Sequence, residues 1–415
     1  MQREFDVVVW GATGFTGTLV SEYICENYGS STAISWAIAG RSESKLVALK
    51  ERLQTINPEM KEVATIVAEA SDIVSLRAMA SRTVVICSTV GPFLTLGRRL
   101  VEACVMEGTN YCDITGETPF IREVIDDHHE TAKSKEIKIV HSCGYDSIPS
   151  DLGVLFVQKE MLKRYGQYAT EVRFYTGPTK GGVSGGTIAS MAGILDLSTR
   201  ERKYRKILGN PYSLNPKDGY RGLDGGDQMT MRFDKIANKW TAPFIMAGAN
   251  TRIVRRSHAL QAYEYGETFR YSEVMGFSTG IKGWRRALQV SVLISSFTML
   301  MLTPWTRKLM LRSVLPKQGE GPKRSAMESG FFTVDVLAIQ GANTLWGQVY
   351  DNLDPGYLST AKMLSESALC LALQNEATPK QFGVVTTAVG MGVVLVERLR
   401  KAGMRFSIRE ETAQT

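Results

Sequence analysis

The chain has 415 residues, 44% of them hydrophobic and 22% charged, a composition and length typical of a globular protein with two domains. Its formal net charge is +7, but the cations occur as scattered pairs rather than as a stripe with interleaved aromatic residues, so no nucleic-acid partner is expected. A mild basic excess suits a phosphate-bearing cofactor or an acidic lipid surface.

The first element is the segment Phe5 to Gly17, which reads FDVVVWGATGFTG. Its apolar half predicts a strand buried on both faces, and a helix is predicted at 18–26. Three glycines at three-residue spacing join the two, as in a dinucleotide-binding turn, where the helix N-terminus faces a pyrophosphate. The alternative is a glycine-rich turn without a ligand. Because the strand begins at about residue 5, no secretory signal is expected.

The second strand is predicted at 34–39 and ends in Gly40, Arg41 and Ser42. An NAD-specific site usually carries an acid here, which binds the ribose 2′-hydroxyl. A guanidinium suits a 2′-phosphate instead, so the sequence favours NADP(H) over NAD(H). The alternative is a solvated arginine at a strand end.

Further strands and helices alternate through the first third of the chain. The predicted strands are 64–68, 83–89, 111–114 and 137–142, and the helices are 44–54, from 74, 96–107 and 120–134. Six strands alternating with helices predict an α/β fold with a doubly wound parallel sheet of the Rossmann type, whose ligand lies beyond the carboxyl ends of the strands.

The residues expected to contact the cofactor follow these strand ends. Asp72 either contacts the adenine or caps the helix that begins near Val74. The full set is Gly11, Ala12, Thr13, Gly14, Phe15, Thr16, Gly17, Arg41, Ser42, Asp72, Val90, Gly91 and Pro92.

The sixth strand leads into Gly144 to Asp151, which reads GYDSIPSD. Pro149 suits the first turn of a helix, and Asp146 could simply cap it. At this strand end, however, Tyr145 and Asp146 would face the nicotinamide. We therefore expect them to be catalytic, with Tyr145 as proton donor. His141, within the strand, is expected to be a core residue.

Beyond about residue 165 the pattern changes to a mixed-sheet domain. Strands are predicted at 170–175, 268–275, 331–339 and 344–349, a helix at 187–200, and an irregular segment at 205–250. Helix 358–374, residues 384–389, helix 391–401 and strand 406–408 are expected to complete the chain, with the long helix packing on the first domain. The predicted division is 1–165 for the Rossmann domain, 166–353 for an inserted α+β domain, and 354–415 for a segment returning to the first.

One stretch, Ala287 to Trp305, contains no charged residue and has cations on both sides. Three structures are compatible with it: a buried helix, a membrane-spanning helix, and a helix lying on a membrane surface with its basic ends on anionic headgroups. The surface helix is the preferred prediction.

The six cysteines form no Cys-x-x-Cys pair, and most lie in apolar runs. This pattern predicts a reducing compartment, no disulfides and no metal site.

These motifs resemble one family, the saccharopine dehydrogenase-like oxidoreductases, which includes mycobacterial trans-acting enoyl reductases. The resemblance spans the whole chain and rests on GATGFTG at 11–17, AGR at 39–41, VGPF at 90–93, YCDITGE at 111–117, GYDSIPSDLG at 144–153, DPGY at 354–357 and GVVTT at 383–387. It implies a Rossmann NADP(H) domain with an inserted α+β domain, association with lipid droplets or membranes, and a link to lipid or glycolipid metabolism. True saccharopine dehydrogenases read Gly-x-Asp-Pro-Gly where this chain has GYDSIP.

The preferred function is an NADP(H)-dependent oxidoreductase that transfers a hydride to or from a lipid-like substrate. The alternatives are a non-catalytic cofactor-binding protein of membranes or lipid droplets, and a lysine-pathway dehydrogenase of saccharopine type. The expected location is cytoplasmic, with peripheral attachment to lipid droplets or intracellular membranes through 287–305. A homo-oligomer is compatible with the sequence.

Overall fold

The computed structural model describes residues 3–29, 34–182, 185–313 and 321–409. The strands in these ranges are β1 Phe5–Trp10, β2 Trp36–Gly40, β3 Ala64–Val67, β4 Thr83–Ser88, β5 Asn110–Asp113, β6 Lys138–Val140, β7 Glu171–Lys180, β8 Arg232–Asp234, β9 Lys239–Pro243, β10 Arg270–Phe277, β11 Phe331–Gln340, β12 Asn343–Asp351, β13 Gly383–Val385 and β14 Arg405–Arg409.

The helices cover most of the remaining chain. They are α1 Phe15–Tyr28, α2 Glu43–Ile56, α3 Ile73–Ala80, α4 Phe93–Leu96, α5 Arg98–Glu107, α6 Thr118–Ser134, α7 Ile148–Tyr165, α8 Gly185–Arg200, α9 Arg202–Gly209, α10 Ala247–Leu260, α11 Gly280–Leu302, α12 Pro304–Ser313, α13 Arg324–Glu328, α14 Leu358–Leu373, α15 Thr387–Gly390 and α16 Gly392–Lys401, with a 3₁₀ turn at Pro58–Glu62.

The first sheet is parallel throughout, with strand order β13-β6-β5-β4-β1-β2-β3. The predicted doubly wound sheet is therefore confirmed, and β13 adds a seventh strand next to β6. Helix α14 packs on β1, β4 and β5, as expected of the segment that returns to this sheet.

Burial on both faces explains the apolar sequence of β1. Val7 and Val9 belong to the core on one side of the sheet, with residues of α1, α2 and α14. Val8 and Trp10 belong to the core on the other side, with residues of α3, α5 and α6. Successive side chains of a strand point to opposite faces, so a strand between two helical layers needs apolar residues at every position.

The second sheet is mixed, with order β14-β12-β11-β7-β10-β9-β8. Strands β7 and β10 are parallel, and the other neighbours are antiparallel. All the strands predicted between 166 and 353 are confirmed here. The C-terminal strand β14 pairs with β12, so the last segment contributes to both sheets.

The prediction that 205–250 is irregular was wrong, because β8, β9 and the start of α10 lie there. Helix α10 buries polar side chains, including Arg252, Arg255 and Arg256. Their guanidinium groups are neutralised by carboxylates or donate to backbone carbonyls, as Arg256 does to the oxygens of Leu214 and Val384. A helix with arginines on its inner face lacks the apolar period that predicts a helix from sequence.

Helices α11 and α12 form a bent pair that contains the uncharged run. Helix α11 buries Gly283, Ala287, Ser291 and Met301, while much of its remaining surface is exposed, so the run is not a buried core helix. Among the described helices, none is by itself long and apolar enough to cross a membrane. Helix α11 and residues 304–311 together have the required length and apolar composition, but the two helices are bent by 106° relative to each other.

Candidate functional site

A cleft of about 830 Å³ lies at the carboxyl ends of the first sheet. One wall is formed by the segments that follow β1, β2, β4, β5 and β6, as the sheet topology predicts. The opposite wall comes from α8 and the first turns of α10. The cleft therefore lies between the first sheet and the segment 185–252.

Two glycines of the first turn are required by the backbone. Gly11 has φ +82°, which favours glycine, and a Cβ on Gly17 would lie 2.1 Å from the carbonyl oxygen of Gly11. Gly14 is different, because a Cβ there would meet only that same oxygen, at 3.3 Å. Gly11 and Gly17 thus serve the turn and its packing, whereas Gly14 leaves room on the cleft side for a ligand.

Nearly all the residues predicted to contact a cofactor line this cleft; the exceptions are Ala12 and Asp72. Ala12 is buried within the turn. Asp72 caps α3, accepting hydrogen bonds from the backbone N–H groups of Val74 and Ser75 at 3.0 and 3.2 Å. The capping alternative for Asp72 is therefore the one seen in the structure.

One end of the cleft is basic. Arg41 and Ser42 lie there, as expected, together with Lys45 in the first turn of α2. Arg41 and Lys45 are exposed and stand four residues apart, so their cationic groups could share one phosphate. Sequence reasoning missed Lys45, which lies one turn into the helix that follows Arg41.

The buried carboxylate of Glu117 joins three parts of the cleft. It accepts hydrogen bonds from the backbone N–H groups of Phe93 and Leu94, each at 2.9 Å, and from the Ser190 hydroxyl of α8 at 2.6 Å. Its own N–H donates to the Thr115 hydroxyl. Glu117 thereby fixes the loop after β4, in which Gly91–Pro92 is cis.

Asp113 holds the neighbouring loops in a similar way. One carboxylate oxygen accepts from the Tyr111 hydroxyl at 2.9 Å and lies 2.8 Å from Nδ1 of His141, and the other accepts from the N–H groups of Thr115 and Ser142. His141 is buried, as expected. The ends of β5 and β6 are thus fixed by one fully buried carboxylate.

The expectation that Tyr145 and Asp146 both face the cleft holds only for Asp146. The Tyr145 ring packs edge-on against Phe332 of β11, with centroids 4.8 Å apart, and its hydroxyl lies beside Thr179 of β7. Burial raises the pKa of that hydroxyl. Packing against the second sheet therefore turns Tyr145 away from the place where a proton donor would be needed.

Asp146 lies on the cleft wall and is partly buried. Burial raises the pKa of its carboxyl from 3.8 to about 6. A Cβ on Gly116 would lie 3.6 Å from Oδ2 of Asp146 and 3.7 Å from the Met246 methyl, so these two side chains meet across Gly116. A carboxyl with a raised pKa beside an open space can hold a proton near neutral pH and deliver it to a ligand.

The wall of the cleft that the segment 185–252 forms is mainly apolar. Its lining includes Met191, Ile194, Leu195, Leu208, Ile245 and Met246. One cation, Arg252, lies among them, and its guanidinium is paired with Asp227 at 2.7 Å.

The C-terminal DPGY motif lies beside the first turn and contributes Tyr357 to the cleft. The Tyr357 ring packs edge-on against Phe15 of the first turn, with centroids 4.9 Å apart. A Cβ on Gly356 would lie 2.3 Å from the carbonyl oxygen of Gly182, so Gly182 packs backbone to backbone on this loop. In the parts of the chain that the structure describes, no group of three or more His, Cys, Asp or Glu side chains could hold a metal ion.

Comparison with known proteins agrees with this geometry. Residues 7–140 match the model of the saccharopine dehydrogenase NADP-binding domain. A Mycobacterium tuberculosis protein named as a trans-acting enoyl reductase is 38% identical over 416 residues, which cover 97% of each chain, and a Mycobacterium leprae trans-acting enoyl reductase is 33% identical with the same coverage.

The fold is also found among solved structures. Saccharopine dehydrogenase (L-Glu forming) from Saccharomyces cerevisiae superposes with a TM-score of 0.52, covering 97% of this chain and 99% of that one, at 12% identity. At this identity the likeness shows the fold alone.

Proposed function

This chain belongs to the saccharopine dehydrogenase-like family of NADP(H)-dependent oxidoreductases, and we propose that it transfers a hydride between NADP(H) and an apolar, lipid-like substrate. The reaction we propose is reduction of a carbon–carbon double bond conjugated to a carbonyl group. The observation that carries this proposal is the apolar half of the cleft, which adjoins the Asp146 carboxyl. The names of the enoyl-reductase relatives support the same reaction class.

The chain offers a place for each part of the cofactor. The turn at 11–17 presents the α1 N-terminus to the pyrophosphate, and Arg41, Ser42 and Lys45 suit the 2′-phosphate. The loop at 90–92, held by Glu117, suits the nicotinamide end. When bound there, NADP(H) supplies or accepts the hydride.

We assign the proton to Asp146. Reduction of a conjugated double bond places a hydride on one carbon and a proton on its neighbour. The Asp146 carboxyl gives its proton to that neighbour, and the carboxylate that remains is reprotonated from solvent. Its pKa of about 6 keeps a usable fraction protonated near neutral pH.

The charges at the substrate end argue against a free amino acid as substrate. An amino acid brings a carboxylate and an ammonium group, and each needs a charged partner when it leaves water. Among the described cleft-lining residues of the segment 185–252, the charged side chains are Arg252 and Asp227, and they pair with each other at 2.7 Å. An apolar chain needs no such partners and gains from burial against Met191 and Ile194.

The test is oxidation of NADPH by purified protein. The probes are 2-enoyl N-acetylcysteamine thioesters of increasing chain length, with saccharopine plus NADP⁺ as the lysine-pathway arm. We expect turnover that improves with chain length. Turnover of saccharopine instead would refute the proposal, and tight NADPH binding without turnover of any thioester would favour the non-catalytic alternative.

We further propose that the α11–α12 pair attaches the protein to anionic membrane or lipid-droplet surfaces. Its exposed apolar side chains include Leu293, Met299 and Trp305, which are 68%, 74% and 71% exposed. Between residues 274 and 319 the sequence has no acidic residue, whereas cations stand at both ends of the uncharged run. An apolar face with basic ends suits a bilayer surface with anionic headgroups.

Flotation with anionic liposomes tests this attachment. Serine at Val292, Leu293 and Met299 should release the protein without lowering its thermal stability, because these side chains are exposed. The matched control places serine at Val67, Val74 and Met229, which are also exposed but lie elsewhere. Wild-type protein that never floats, at low or high salt, would refute the proposal.

A further inference from the structure

The TGE motif at 115–117 has no direct place in the chemistry proposed above, yet its glutamate is almost fully buried, with 1% of its surface exposed. Burying a carboxylate is costly unless hydrogen bonds compensate, and Glu117 has three strong donors. Two are consecutive backbone N–H groups, of Phe93 and Leu94, at the start of α4. The third is the Ser190 hydroxyl.

These donors belong to opposite walls of the cleft. Phe93 and Leu94 directly follow the loop at 90–92, which suits the nicotinamide end, while Ser190 lies on α8 beside the apolar residues Met191 and Ile194. The carboxylate therefore bridges the cofactor side and the substrate side.

Glu117 itself is well fixed on the sheet. Its N–H donates to the Thr115 hydroxyl, the Thr115 N–H donates to Asp113, and the Thr115 carbonyl accepts from the Ser142 hydroxyl at 2.6 Å. The sheet thus fixes the backbone of Glu117, while its carboxylate is held by the 90–94 loop and by α8.

We propose that Glu117 is a positioning residue that couples cofactor binding to the placement of α8, so that the apolar wall of the substrate site is held in place when NADP(H) fixes the 90–94 loop. This inference rests on the proposed function in one respect, namely that the nicotinamide binds beside the loop at 90–92. A ligand that fixes the loop keeps the N–H groups of Phe93 and Leu94 on the two carboxylate oxygens, so the carboxylate holds one orientation and one of its oxygens stays in reach of the Ser190 hydroxyl. By linkage, a substrate that orders α8 tightens NADP(H) binding by the same factor.

Hydrogen exchange of the full chain, with and without NADPH, tests the coupling without requiring a substrate. In the wild type, NADPH should slow amide exchange both in the 90–94 segment and in α8. Ser190→Ala removes only the link to α8, so NADPH should still protect 90–94 while its protection of α8 falls about ten-fold, within the usual range of coupling between sites. Thr199→Ala is the matched control on the same helix, because that hydroxyl donates to the Asp196 carbonyl of its own helix. It should behave as wild type.

Glu117→Gln provides the second variant. A carboxamide keeps one acceptor oxygen and the shape of the side chain but cannot accept from Phe93, Leu94 and Ser190 in the wild-type arrangement. We expect weaker NADPH binding together with loss of α8 protection, and a KM for the thioester probe that rises more than in Ser190→Ala.

The outcomes separate the two proposals. If NADPH protects 90–94 but α8 shows equal protection in wild type and Ser190→Ala, the coupling is refuted and the cofactor site stands. If NADPH protects neither segment in the wild type while binding elsewhere, the placement of the cofactor itself is wrong.

Discussion

Asp146→Asn should make the protein more stable and less active, because burial disfavours the charge that this carboxyl carries above its pKa. Burial raises that pKa from 3.8 to about 6. Because each pH unit of difference in pKa between the folded and unfolded states is worth 1.36 kcal/mol, the ionised carboxyl lowers the free energy of unfolding by about 3 kcal/mol at most. The native state therefore holds a proton at Asp146 more tightly than the unfolded chain does, and this group's contribution to stability is lost as pH rises from about 4 through about 6.

The asparagine side chain carries no charge to bury. The difference in free energy of unfolding between Asp146→Asn and the wild type therefore depends on pH. Urea unfolding of both proteins should give similar free energies of unfolding near pH 4 and a growing advantage for Asp146→Asn up to pH 6, constant above it. Asp218→Asn, at an exposed position, is the control and should show no such trend. A difference that does not change with pH, or a variant less stable than wild type at pH 8, would refute the reasoning.

Activity should change in the opposite direction. Loss of a general acid typically costs about 100-fold or more in turnover. Turnover of the wild type with a thioester probe should fall as pH rises above about 6, where Asp146 loses its proton. If Asp146→Asn kept full turnover and bound NADPH normally, the proton would have to come from another group or from water.

The remaining predictions concern the cofactor turn and the neighbouring tyrosine. Arg41→Ala, and to a smaller extent Lys45→Ala, should weaken NADPH binding by about 1.5–3 kcal/mol and leave NADH binding little changed, as measured by calorimetry; equal losses for both nucleotides would indicate adenine stacking instead. Gly14→Val should fold but not bind nucleotide. Gly17→Ala should lower the melting temperature, because its Cβ would lie 2.1 Å from a carbonyl oxygen. A stable, nucleotide-binding Gly17→Ala variant would contradict this second prediction. Tyr145→Phe should leave turnover nearly unchanged, because the ring packs on Phe332; a 100-fold loss would restore the tyrosine as proton donor.

The parallel sheet could be predicted from sequence because its signals are local. An apolar strand such as β1, followed at once by a glycine turn and a helix, carries its own signature, and six repeats of strand and helix define the topology. The predicted cofactor residues that line the cleft could be placed from the topology, because every parallel strand ends at the same edge of the sheet. Arg41 could be placed in this way without any knowledge of side-chain packing.

Features that depend on distant contacts could not be predicted in the same way. Helix α10 has arginines on its inner face, whose partners lie on other segments, such as Asp224 for Arg255. The role of Glu117 depends on Ser190, 73 positions later in the chain. No periodicity within either segment reveals those partners, because the partners lie far away in the sequence.

The choice between Tyr145 and Asp146 illustrates the same limit at the scale of one residue. The strand-end rule places both residues at the cleft but does not say which side chain points into it. The second sheet decides, because Phe332 provides an apolar partner for the larger ring and leaves the carboxyl on the cleft side. Gly116 supports this assignment: a Cβ there would make only ordinary contacts, at 3.6 Å or more, so the fold does not require glycine. A larger side chain would instead fill the space between the Asp146 carboxyl and Met246, which is where the proposed substrate would have to lie to receive the proton.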